Sequence, residues 1–132
     1  METKKISRGA IISADLTVEN AERIRDFYQA VIGWSVEEMP LKDRDEAYSD
    51  YVMKDADGNW VGGVCHHRGA NKGIPPQWIV YITVQDIAAS MQRCLDLGGT
   101  VVKESRNPAG ECQYVIIRDP AGAVLGLTSV PS

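Results

Sequence analysis

Residues 11–18, IISADLTV, alternate. Ile12, Ala14, Leu16 and Val18 fall on one face, and Ser13, Asp15 and Thr17 on the other. A period of two predicts a strand with one apolar face. The period then lengthens: Ala21, Ile24, Phe27, Tyr28, Val31 and Ile32 recur at helical spacing. Asn20 stands as the N-cap, Glu22 suits the first turn, and Gly33 supplies the left-handed residue that closes the helix. WSVEEMP predicts a second strand that ends at Pro40, and the charged run LKDRDE at 41–46 predicts a solvated loop. A third strand over 47–54, the turn DADGN and a fourth strand from Trp60 to His66 complete this half. RGANKGIPP, 68–76, has the composition of a linker.

The order then repeats. WIVYITV predicts a strand, Asp86 an N-cap, and Ile87, Met91, Cys94 and Leu95 a helical stripe ended by Gly98 and Gly99. TVVKES, CQYVIIRD, the turn DPAG and AVLGLTSV predict three further strands. LTVEN at 16–20 lies over ITVQD at 82–86, an offset of 66 that also superposes Gly33 on Gly99 and Glu38 on Glu104. The second hairpins align at an offset of 64, YVMKDADG over VIIRDPAG. Shared caps, glycines and turns in one order predict two copies of a β-α-β-β-β unit: module one over 9–67, the linker over 68–76 and module two over 77–130.

Length and composition narrow what such a chain does. At 132 residues it forms one small domain. Fourteen basic against eighteen acidic residues give a net charge of −4, with no basic excess to hold a phosphate backbone, so nucleic acid is not an expected partner. No apolar run approaches the roughly 20 residues of a membrane span, and no apolar core follows the first lysines as a secretory leader requires. Cys65, Cys94 and Cys112 are odd in number and lack CxxC spacing, which predicts reduced thiols in a cytoplasmic protein.

Paired βαβββ modules, with LTVENAERIRDFYQAVIGW in the first and RDPAGAVLGL in the second, resemble the vicinal oxygen chelate superfamily of glyoxalases, bleomycin-resistance proteins and extradiol dioxygenases. The resemblance covers residues 9–130. WVGGVCHHRGANKGIPPQWIVYITVQD is similar to a subgroup of short bacterial glyoxalase-like proteins. It implies an α+β fold in which two modules form an open, barrel-like curved sheet around a cavity, and it implies a homodimer. Metal-dependent members place one ligand on each of the first, fourth, fifth and eighth strands. The matching positions here are Ser13, Gly62, Ile79 and Gly126, and a divalent cation finds no side-chain donor at the last three. No metal and no cofactor are therefore expected, and glyoxalase I or dioxygenase chemistry is disfavoured.

With the positions that match the superfamily's ligands taken as cavity-facing, the resemblance and strand parity together imply a pocket lining of Ser13, Asp15 and Thr17, then Trp60 and Gly62, then Ile79 and Tyr81, with Tyr114 and Gly126. Such a lining suits a small organic ligand. Asp15, Tyr81 and His66 are the candidates for acid–base work. Asp15 serves equally as a base, as a contact for a ligand hydroxyl or amine, or as a structural partner of Arg118 or a tyrosine. His66 and His67 are the only histidines, and strand neighbours point to opposite faces, so one of them at most enters the lining. The other reading of both is a strand-end or interface histidine. Three functions stay open: a small-molecule binder with a metal-free cavity, a metal-independent acid–base enzyme of isomerase or lyase type, and a drug-sequestering protein of the bleomycin-resistance type.

Overall fold

The computed structural model describes residues 6–130; the chain start, where no leader is expected, falls largely outside these. The alternations become β1 (Ile11–Val18), β2 (Ser35–Asp43), β3 (Glu46–Lys54), β4 (Trp60–His66), β5 (Trp78–Val84), β6 (Thr100–Arg106), β7 (Cys112–Arg118) and β8 (Val124–Ser129). The two amphipathic runs become α1 (Ala21–Ile32) and α2 (Ile87–Asp96). Both predicted caps are made. Asn20 Oδ1 accepts from Arg23 N and Asp86 Oδ1 from Ala89 N, while Gly33 closes α1 at φ 90°.

The fold is α+β, with two βαβββ modules of like topology. Module one orders its strands β2-β3-β4-β1 and module two β6-β7-β8-β5, each with one parallel pair, β1 with β4 and β5 with β8. The repeated hairpin turns are built identically. Asp55 accepts the backbone N–H groups of Asp57 and Asn59, and Asp119 those of Ala121 and Ala123. In module one, Ala21, Tyr51, Met53 and Val64 form a core that Tyr28, Trp34 and Trp78 close against α1. In module two the core is Ile87, Val115, Ile117 and Leu127, with Met91 and Cys94 of α2 packed on it. Each sheet therefore spends one face on its helix. Among the described residues no helix is long and apolar enough to cross a membrane.

Three features depart from the sequence reading. Pro40 does not end β2, which runs on to Asp43 and pairs Pro40 with Ser49. β2 is the outer strand of its module's sheet, where a missing N–H costs no ladder bond and charged side chains are at home. The LKDRDE run is thus strand on both sides of a tight Arg44–Asp45 turn, with Arg44 held at φ 59°. The 68–76 segment is packed rather than a loose linker: Gly69–Asn71 form a 3-10 turn, Ile74 is buried, and Arg68 pairs with Asp43 and Glu46. Finally, the chain divides into compact units of residues 13–78 and of residues 6–12 with 79–130. The start of the chain joins module two because Thr83 holds it. Gly9 N donates to Thr83 O at 2.7 Å, Thr83 N to Ala10 O at 3.0 Å, and the Thr83 hydroxyl to Ser7 O at 2.6 Å.

Candidate ligand-binding site

The helix-free face of module one is fixed by register. Asp15 pairs with Gly63 and Thr17 with Cys65, while Gly63 pairs with Val52 on the other side, so Asp15, Thr17, Gly63, Cys65, Val52 and Asp50 share one face. Gly63 lets the Asp15 side chain lie flat on β4. A Cβ there would stand 2.7 Å from Asp15 Oδ1. The Gly63 N–H donates to the Asp15 carboxyl, yet burial pushes that carboxyl above the usual carboxylate range, with the charge of Asp50 adding to the push.

Asp50 is 6% exposed and well supplied with donors. His66 N donates to its Oδ1 at 2.8 Å and Asn71 Nδ2 to its Oδ2 at 3.5 Å. The Cys65 thiol also bonds to it, and burial, with Asp50 and Asp15 nearby, pushes that thiol far up. Cys65 is therefore a weak nucleophile, since reactivity belongs to the thiolate. All three cysteines are free. Tyr48 follows the same alternation at the rim, half-buried, with the Arg68 guanidinium 4.4 Å over its ring.

Module two repeats the arrangement with different chemistry. Tyr81 pairs with Gly126, and Gly126 in turn with Ile116. The Tyr81 ring lies directly across Gly126 and meets the Tyr114 ring edge-on, centroids 5.8 Å apart. Thr83 and Thr128 continue this face, and Ile79, on the same parity, is 1% exposed. Asp15 and Tyr81 stand 66 residues apart, and Asp50 and Tyr114 stand 64 apart. The two carboxyls of module one thus occupy the positions of the two tyrosines of module two.

The residues of the expected lining fall in two groups and outside them. Asp15 and Thr17 come together in module one, with the exposed Ser13 on the same parity, and Tyr81, Tyr114 and Gly126 come together in module two. Gly62 does not join Asp15: it pairs with the fully buried Met53, and a Cβ on it would meet Ala14 O and the Trp78 ring on the helix side. The reason is an irregular register beside Lys54 that places one extra residue, Val61, in β4. Trp60 is 63% exposed at the start of β4. Trp78 packs in the core of module one, donating its indole N–H to Tyr28 Oη at 3.0 Å.

His66 takes the helix-side parity. Its Nε2 lies 3.0 Å from Glu22 of α1, and its Nδ1 is buried 3.4 Å from Asp50 Oδ1 without a hydrogen-bond partner. His67 is held by Glu19 and by the N–H of Gly73. Sequence reasoning missed Asp50 and Cys65. The signal was present: the offset of 64 carries Tyr114, already a candidate, onto Asp50.

The positions at which the superfamily carries metal ligands do not fit a divalent ion. Module one offers the Ser13 hydroxyl and a glycine that faces the helix side, and module two a buried isoleucine and a glycine covered by a tyrosine ring. Among the described residues no three His, Cys, Asp or Glu converge on a common point.

The profile of a glyoxalase-like domain matches residues 12–128. The putative glyoxylase CFP32 of Mycobacterium bovis and of Mycobacterium tuberculosis is 29% identical over 114 residues, 86% of this chain and 42% of that protein. The anthracycline biosynthesis protein DnrV of Streptomyces peucetius is 28% identical over 116 residues, 87% of this chain and 39% of its own length. This chain thus spans about two fifths of the curated relatives it matches. Methylmalonyl-CoA epimerase of Streptomyces coelicolor, solved with 2-nitronate-propionyl-CoA, aligns with TM-score 0.53 at 15% identity over 96% of this chain and all of that one. The epimerase of Mycobacterium tuberculosis aligns with TM-score 0.52 at 14% identity, over all of this chain and 94% of that one. Those two likenesses speak for the fold alone. With the repeated βαβββ modules and the matched profile together, the chain belongs to the glyoxalase-like domain family of the vicinal oxygen chelate superfamily.

Proposed function

We propose that this chain binds a small organic molecule on the helix-free faces of its modules, without a resident divalent ion, and that Asp15 is the polar group the ligand meets. One observation carries the reading. A half-buried carboxyl, pushed up by burial, lies on the strand where metal-dependent members begin their ligand set, and Gly63 opposite leaves room for it. Desolvating a carboxyl costs free energy unless it is paired, and such a perturbed group on a concave face is a functional-site candidate. The paired rings of Tyr81 and Tyr114 support an organic ligand with apolar surface. The similarity to an anthracycline biosynthesis protein points the same way.

The test is a thermal-shift screen of the purified chain against small metabolites, with an anthracycline and an acyl-CoA ester included because similar proteins suggest them. A ligand at 100 times its Kd stabilises the folded state by about 2.7 kcal/mol, a rise of several degrees for a domain of this size. The rise should vanish in Asp15→Ala. A shift equal in wild type and variant sinks the assignment of Asp15, and one stoichiometric divalent ion in the purified protein sinks the metal-free reading.

A second reading, a metal-independent acid–base enzyme, is favoured by the upward push on Asp15, which brings its proton exchange closer to neutral pH. Turnover of the identified ligand separates it from a binder or a sequestering protein, which returns the molecule unchanged. A homodimer belongs to the same proposal, and sedimentation at the monomer mass across micromolar concentrations would end it.

A further inference from the structure

Segment 68–76 lies against one end of the helix-free face of module one. A cavity of about 110 Å3 there is lined by Thr17, Val18 and Glu19 where β1 ends, by His67 just after β4, and by Ile74 and Pro76 of the segment. Thr17 is 3% exposed and Ile74 4%, so the segment closes this end. The repeat shows why the closure needs a device of its own. In module two the matching residue, Thr83, takes the N–H of Gly9 on its carbonyl and that of Ala10 on its hydroxyl, at 2.7 and 3.1 Å. An offset of 66 carries Gly9 and Ala10 onto Pro75 and Pro76, which have no N–H to give. Neither bond can form at Thr17. A histidine ring takes up the segment's backbone instead: Gly73 N donates to His67 Nε2 at 3.0 Å. Nε2 must be bare to accept, so the neutral ring carries its proton on Nδ1, which faces Glu19 Oε1 at 3.2 Å.

We propose that His67 is a proton-operated latch on segment 68–76. Neutral, the ring holds Gly73 and keeps the segment closed over Thr17. Charged, it carries an N–H on both nitrogens, so Nε2 repels the Gly73 N–H while Nδ1 binds Glu19 more firmly. Imidazole is the side chain that changes charge between about pH 5 and 8, so the latch works under ordinary conditions. Glu19 is the ring's ionic partner. Arg68 is committed to Asp43 and Glu46, His66 turns to the helix side between Glu22 and Asp50, and Lys72 stands next to Gly73 in the chain. Arg68, and Asn71 Nδ2 on Asp50 at 3.5 Å, anchor the first half of the segment, so release frees residues 73–76. With the latch open, Thr17 and its cavity join the face on which Asp15 lies. This rests on the reading of that face as a ligand site and adds a control to it: acid widens the site and neutral pH narrows it. His67 is a positioning residue, acting on the segment and not on the ligand.

The experiment uses the full, ligand-free chain labelled with 15N and 13C, so a protein that binds nothing still answers it. At about pH 8, long-range proton–nitrogen NMR correlations of the imidazole should place the His67 proton on Nδ1. The pH is then lowered to about 5. Exchange of the Gly73 amide with water, relative to an unstructured glycine at the same pH, should speed up roughly tenfold along the titration curve of the His67 ring itself. The Ile74 methyl groups should at the same time be broadened more by a neutral gadolinium chelate in solution. His67→Gln keeps an acceptor for Gly73 at every pH, and in it both pH effects should disappear. If that variant fails to fold, the wild-type ring and amide decide by themselves. A proton on Nε2 at the start, Gly73 exchange that ignores the ring's titration, unchanged broadening at Ile74, or pH effects that persist in the folded variant each overturn the latch. None of these outcomes touches the thermal-shift test of Asp15.

Discussion

Asp15 and Gly126 show how much a single position decides. Asp15 has a folded-state pKa above its unfolded value, because burial disfavours the carboxylate and Asp50 opposes it. The sign follows from linkage: the folded protein holds the Asp15 proton more tightly than the unfolded chain. Its contribution to stability is full below about pH 3.8, the ordinary value, and is lost as pH rises through the raised one. Asp15→Asn removes that loss and keeps an acceptor for the Gly63 N–H. Urea denaturation at pH 4 and pH 7 should therefore show the variant gaining on the wild type as pH rises, and an unchanged difference would refute the raised value. Gly126→Ala places a methyl group inside the Tyr81 ring, since the ring lies across the glycine. Overpacking of this kind costs about 1–3 kcal/mol, and the displaced ring should lose its edge contact with Tyr114, read as lost ring-to-ring NOEs. Alternation showed that Asp15 shares a face with Thr17, and Tyr81 with Ile79, but which face was singled out came from the superfamily resemblance. Asp50 was legible from neither. It sits in YSDYVMK, where Tyr51, Val52 and Met53 are all buried and blur the alternation.

At the scale of elements, local chemistry was legible wherever a cap or turn motif determined it. Both helices start at their predicted N-caps, and the two Asp-Gly hairpins fold alike. Asp86 is the sharper test, because it accepts Ala89 N at 3.1 Å at the mouth of a ten-residue helix. Asp86→Ala should cost about 1 kcal/mol in chemical denaturation, and Asp86→Ser much less, since a serine oxygen still caps. Equal losses in the two would show that the cap is not the cause. What sequence could not give was the edge. LKDRDE carries too much charge for a central strand, yet Lys42 and Asp43 pair with Ala47 and Glu46 in the outer ladder of module one. Edge position is a tertiary property, and it reverses what proline and charge mean. The displacement of Gly62 has a like origin: one extra residue in β4 turns every later side chain of that strand over, and no local signal marks it.

At the scale of the whole chain, the repeat at offsets of 66 and 64 carried most of the fold, while the boundary between compact units moved. Residues 9–12 belong by sequence to the first module, but they pack with the second. Thr83 is the reason. It is 1% exposed, and its backbone and hydroxyl make four hydrogen bonds to Ser7, Gly9 and Ala10 at 2.6–3.1 Å. Thr17, at the same place in module one, is also buried, so burial at this position belongs to the repeat whereas capture of the chain start belongs to module two. Thr83→Val keeps the shape and removes the hydroxyl. The Ser7 carbonyl and the Ala10 N–H then lose a buried partner each, which should cost about 1–3 kcal/mol. The loss should appear first as faster amide hydrogen exchange at Ala10, with β7 and β8 little changed. Uniform acceleration through module two would instead mean that residues 7–12 are integral to its core, and no change at Ala10 would mean that Thr83 does not hold the chain start.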